Sequence, residues 1–222
     1  SPAAWRDEQW HGVRQFHVLN RLHKNFDPGQ EELRARLRAL REEVFRRARL
    51  SVNLTGDEAC LGALRAEAAS LIGALPAGAA PAPAPAPVPA PSSRGVAVPG
   101  KVCFVARVFP APRYRDPAAP AVLTLANCLS DDILYKKVRV EGGAYGGMAM
   151  YNSNFGYVAF LSYRDPHLER TLETYDGVLA AFLAEPPDAE TVRKTVIGTV
   201  ADLDRPMAPA VRGALAFERL LI

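Results

Sequence analysis

The sequence predicts an α+β fold: an antiparallel sheet with helices packed on one face, preceded by two further helices. Three observations lead there. Runs rich in β-branched and aromatic residues recur near 50–55, 101–109, 144–151 and 156–163. The last two flank Asn152-Ser153-Asn154-Phe155, a turn-rich quartet that makes them a hairpin. Elsewhere apolar residues recur at spacings of three and four, the period of helices.

Asp7 to Lys24 reads as the first helix, with Trp10, Val13, Phe16, His17 and Leu22 roughly on one side. Asn25-Phe26-Asp27-Pro28-Gly29 is expected to break it. Glu31 to Arg49 forms a second helix on Leu33, Leu37, Leu40, Val44 and Phe45. Leu50 to Thr55 alternates with period two and is expected as a strand. Gly56-Asp57 opens a helix to about Leu75. From Pro76 to Ser93 the chain is almost wholly alanine and proline, which extends as polyproline II and not as helix or sheet. An inserted surface loop and an SH3-type ligand are both open readings, and an insertion costs little closure entropy.

Lys101 to Phe109 is strongly β-forming, and a turn with Pro110, Pro112 and Pro117 follows. Helices from about Pro120 to Ser130 and Asp131 to Val138 lead to a glycine-rich stretch. Beyond the hairpin, Arg164-Asp165-Pro166 is expected to cap a helix running to about Ala184, with proline in its first turn. Its expected inward face is Leu168, Leu172, Tyr175, Leu179 and Phe182. Pro186-Pro187-Asp188 starts another helix to about Asp202, and Pro206 and Pro209 precede a last one. Ser1 opens without a signal-peptide pattern and Leu220-Leu221-Ile222 is an apolar helix face, so both ends read as cuts and the chain as a fragment.

Composition excludes several classes. The 222 residues are 49% hydrophobic and 23% charged, ordinary for a globular chain. A net charge of +3 is too weak to argue for nucleic acid. The arginines of 31–49 interleave with Glu31, Glu32, Glu42 and Glu43, which favours a solvated face over an RNA-binding patch. No apolar run is long enough to span a membrane. Cys60, Cys103 and Cys128 show no C-x-x-C spacing, so no disulfide framework is expected and a reducing compartment fits best. Asn53-Leu54-Thr55 matches a glycosylation acceptor, without any sign of secretion beside it.

Catalytic motifs are missing too. His11, His17 and His23, spaced by six, fall alternately on opposite sides of a helix, and His167 stands apart. Neither His-x-x-Glu-His nor its inverse occurs, nor a Gly-x-Ser-x-Gly elbow, nor Gly-Lys-Ser/Thr. No metal is expected to be held by this chain.

One stretch stands out: Val138-Arg139-Val140-Glu141-Gly142-Gly143-Ala144-Tyr145-Gly146-Gly147. A helix delivers an arginine, glycines turn the chain, and a tyrosine opens a strand. Glycines on both sides of Tyr145 allow an extended peptide to lie close to the main chain. Arg139 offers a fork of donors and Tyr145 a hydroxyl, together suited to a carbonyl oxygen. A structural arginine and a core tyrosine at an ordinary helix-to-strand turn is the other open reading.

The same stretch resembles the carboxyl-terminal half of the presequence-protease family, within the pitrilysin-type (insulin-degrading-enzyme) zinc metallopeptidases. Phe160 to His167 followed by Leu172 to Gly177 looks like that family's hairpin-to-helix passage, and Val196 to Asp204 with Arg212-Gly213 looks like its next two helices. Val52-Asn53-Leu54-Thr55, Val98-Pro99 and Val102 also fit, so the resemblance spans roughly residues 40 to 222. It implies a clamshell of two halves that degrades short unstructured peptides, including cleaved mitochondrial or chloroplast targeting presequences. Residues 1–49 would then end a preceding linker region and 50–222 form the carboxyl-terminal α+β domain, with 76–93 inserted and the last helices beyond Ile222 missing.

By motif match the resemblance assigns Arg139 and Tyr145 to substrate-carbonyl binding and transition-state stabilisation, and Gly142, Gly143, Gly146 and Gly147 to the approach of the peptide. Zinc and its glutamate base would belong to the amino-terminal half of the same polypeptide, leaving this part inactive alone. The implied partners are unstructured peptides and that half, with neither nucleic acid nor membrane. The implied place is an organellar matrix, mitochondrial or stromal, with a bacterial-type cytoplasm as alternative. Two departures bear on this: the alanine-proline insertion, and Met148-Ala149-Met150 where more aromatic or polar residues are expected. A non-catalytic peptide-binding or scaffold homologue of the same fold is the alternative function.

Overall fold

The computed structural model describes residues 8–79 and 93–221. The polyproline expectation for 81–87 lies outside the described residues. Two compact units result, one of Pro91–Arg205 and one of Pro2–Ala90 with Pro206–Ile222.

The first unit is built on a three-stranded antiparallel sheet: β1 (Cys103–Pro110), β2 (Gly146–Asn152) and β3 (Tyr157–Asp165), in spatial order β1-β3-β2. The expected hairpin is present. Gly156, at φ +69°, closes its turn, and the Asn152 side chain accepts from the Phe155 amide at 3.1 Å. Alternation then sorts the faces. Val105, Phe160 and Ser162 are buried, whereas Phe104, Val108, Met148, Met150 and Tyr163 are exposed.

The expected strand at 50–55 does not form; among the described residues the sheet has only three members. Alternation describes a surface able to join a ladder, but pairing requires an edge to join. Leu50 and Val52 are exposed instead.

α4 (Ala119–Leu129) runs without a break into a π-helix over Ser130–Val140, so the two helices expected here are one continuous element. The π-helix and α4 pack on β2, while α5 (Leu168–Ala184) packs on β1 and the π-helix. Leu129, Leu134, Val138, Val105, Ala144, Phe160, Tyr175 and Val178 form the core. The inward face of α5 is partly the expected one: Tyr175 is buried and Leu172 and Phe182 pack on the core, but Thr171 and Val178 are buried while Leu168 and Leu179 are half exposed. The cause is Asp165. Fully buried at the end of β3, it accepts from the His167 amide (2.8 Å) and the Thr171 hydroxyl (2.7 Å), which pulls Thr171 inward. Pro166 therefore precedes the helix instead of sitting in its first turn. α6 (Ala189–Leu203) is capped by Asp188, which accepts from the Thr191 amide at 2.8 Å. It meets α4 where Asn127 donates to Thr199 at 2.8 Å.

The second unit is helical: α1 (Val13–Lys24), α2 (Phe26–Val44), α3 (Glu58–Ala74) and α7 (Pro209–Leu221). The expected break at 25–29 shrinks to Asn25, because Pro28 falls in the first turn of α2, where an amide has no partner to lose. Arg47 donates to the carbonyls of Leu75 (2.9 Å) and Gly73, satisfying acceptors that the end of α3 leaves open. No residue of these four helices is buried among those described.

Candidate functional site

The site begins where the π-helix ends. Gly143 donates its amide to Arg139 O (3.1 Å) and Ala144 to Val138 O (3.2 Å), unwinding the last turn. Gly143 sits at φ +75°, and a Cβ on Gly142 would stand 2.6 Å from Val138 O. Neither position tolerates a side chain without strain. Two residues on, Tyr145 donates its amide to Tyr163 O at 3.1 Å and starts the pairing of β2 with β3. A Cβ on Gly147 would meet Val138 Cβ at 2.6 Å, so that glycine lets β2 lie against the π-helix. Gly146 has more room, its nearest atom being Met148 Cε at 3.4 Å. Of the four glycines expected to admit a peptide, only Gly143 lines the depression described next. Packing within the unit accounts for Gly142 and Gly147.

Arg139 and Tyr145 come together on the surface. The Arg139 guanidinium lies 5.9 Å from the Tyr145 ring centroid and 5.5 Å from that of Tyr135, within cation–π range of both. Tyr145 is 68% exposed and meets Tyr163 edge-on at 5.9 Å; Tyr163 in turn meets exposed Phe104 at 5.2 Å. Val102, Arg139, Gly143, Ala144, Tyr145 and Arg164 line an open depression of about 570 Å³. The guanidinium and the phenol thus face solvent across a concave wall and not a packed interior.

Sequence reasoning missed Arg164, which it placed in a helix cap. Its φ is +50°, and it is the one non-glycine residue with positive φ among those described. The cause is a β-bulge. Cys103 pairs with Asp165 and Val105 with Ser162, so Phe104 alone faces both Tyr163 and Arg164. Nothing in composition or periodicity signals it.

Behind the sheet the chemistry is inert. The hydroxyls of Tyr175 and Ser162 are buried without a partner at hydrogen-bonding geometry. Burial pushes the Tyr175 phenol up to about 12; Ser162 nearby opposes the shift weakly and Asp165 adds to it. Burial likewise raises the Cys128 thiol, against a nucleophilic role. No group of three His, Cys, Asp or Glu side chains comes together for a metal among the described residues.

The three-stranded antiparallel sheet backed by helices on one face is the fold of a solved peptidase M16 domain. A solved "peptidase M16 inactive domain" from Pseudomonas fluorescens superposes on 78% of this chain and 42% of its own, with TM-score 0.53 and 22% identity. Residues 97–222 match the sequence model described as "PreP C-terminal domain", and the chain belongs to that family. Presequence protease 1, chloroplastic/mitochondrial, from Arabidopsis thaliana is 29% identical across 99% of this chain. The mitochondrial presequence protease of Kluyveromyces lactis is 25% identical across 95% of it. Protein HypA of Clostridium perfringens is 31% identical over 56% of it, or 13% of HypA's own length. The chain spans about a fifth of the length of the two presequence proteases, 20% and 22%.

Proposed function

We propose that this chain is the substrate-holding carboxyl-terminal part of a zinc metalloendopeptidase that degrades short unstructured peptides, cleaved targeting presequences among them, in a mitochondrial or chloroplast matrix. The observation that carries this reading is the joint exposure of Arg139 and Tyr145 on one concave wall of a PreP-family domain. Arg139 donates from its fork to a peptide carbonyl, and the Tyr145 hydroxyl donates to the oxyanion that develops there. The rings of Tyr135 and Tyr145 both lie within cation–π range of the guanidinium and favour its position beside the depression. These residues orient and polarise the substrate.

In this reading zinc and the water it activates belong to the amino-terminal half of the polypeptide, and this chain supplies only the substrate-holding groups. The chain alone is expected to be inactive. In the full-length protein, Tyr145→Phe or Arg139→Ala is expected to lower peptide turnover by roughly 10²-fold, the typical effect of losing one oxyanion donor. Full turnover in both variants would remove the roles assigned to them.

A further inference from the structure

The proposed function uses Arg139 and leaves Arg164 without a task. Three facts about Arg164 belong together. Its backbone is held in the left-handed region, where a non-glycine residue is uncommon and unfavourable. The hold comes from a β-bulge, a device that re-aims side chains beside functional sites. The re-aimed residue lines the same depression as Arg139 and Tyr145. Among the described residues, neither guanidinium forms an ion pair or a side-chain hydrogen bond, although Arg34, Arg36, Arg107 and Arg205 all find carboxylates.

We infer that Arg139 and Arg164 together form a subsite for a carboxylate of the bound peptide, with the Tyr145 hydroxyl as an additional donor. Two guanidinium groups without a carboxylate partner beside one hollow give it a positive potential that favours an anion. A carboxylate matches the planar fork of either arginine. A neutral carbonyl needs only one of the two forks. The inference deepens the peptide-holding reading and rests on it: it selects, among unstructured peptides, those presenting a carboxylate near the held carbonyl. Chain terminus and acidic side chain are the two sources of that group, and they separate in the test.

The full-length protein containing this chain is kept in chelator to halt turnover and titrated with a labelled, amino-terminally acetylated twelve-residue peptide, otherwise uncharged, in four forms. These carry a free or amidated carboxyl terminus and an internal Glu or Gln. The form with the matching carboxylate is expected to bind roughly tenfold tighter than its neutral twin, as charged hydrogen bonds do. If amidation removes the preference, the terminus is the source; if Glu→Gln removes it, the side chain is. Arg164→Asn, which accepts the same backbone conformation without charge, abolishes the preference. Arg164→Gly serves as the folding control, losing the preference while keeping the unfolding midpoint at or above the parent value. A preference that is absent, or that survives Arg164→Asn, overturns the inference. Neutral-peptide binding lost in Arg139→Ala would still leave the peptide-holding reading standing. A parent protein that binds none of the four peptides sinks both.

Discussion

Arg164 stores backbone strain that its packing does not need. A residue in the left-handed region costs about 1–3 kcal/mol relative to one in its preferred region, and glycine is relieved of that cost. Arg164→Gly is therefore expected to raise stability by about 1 kcal/mol, read as a higher denaturant midpoint with unchanged slope. A lower midpoint would mean that the Arg164 side chain supports the bulge. Tyr175 makes a second residue-scale prediction. Its phenol ionises near 10 when unfolded and about 12 when folded, so between these values the unfolded chain holds fewer protons than the native one. Stability then falls as pH rises from about 10 toward 12. Tyr175→Phe, which also deletes an orphaned buried hydroxyl, should flatten that fall at little cost to stability at neutral pH. Thermal melts across that pH range decide it.

At the scale of elements, the contact between the π-helix and β2 positions everything at the site. Gly147 brings the strand against Val138 and Leu134, and Ser130 closes its edge. The Ser130 hydroxyl accepts from the Ala149 amide at 2.7 Å and donates to the Ala149 carbonyl at 2.9 Å. Both groups point away from β3, so this side chain occupies the stretch of edge where an added strand would dock. Gly147→Ala forces a methyl into the packed contact and is expected to cost about 1–3 kcal/mol. Ser130→Ala leaves an amide and a carbonyl unpaired, for a loss of about the same size. Equal denaturant midpoints for Gly147→Ala and the parent would show that the strand shifts freely off the helix.

For the whole molecule, the four helices of the second unit expose Phe16, Leu37, Leu40, Leu71 and Leu220 and bury no residue among those described. The proposed division of labour puts the activity at this scale. The isolated chain, supplied with zinc, should cleave no peptide, and adding the amino-terminal half as a separate chain should restore cleavage. Cleavage by the isolated chain would refute the division.

The sequence alone determined the α+β class, the hairpin and most helix positions, which rest on local signals of period and turn chemistry. Family resemblance singles out Arg139 and Tyr145 as a pair, since the residues themselves leave a structural arginine and a core tyrosine open. Tertiary structure decided the rest. It left 50–55 outside the sheet, buried Thr171 and Val178 of α5 in place of Leu168 and Leu179, merged two helices into one, and aimed Arg164 at the hollow. All four depend on which edge or pocket a residue meets far along the chain, and periodicity carries no information about a partner it cannot see.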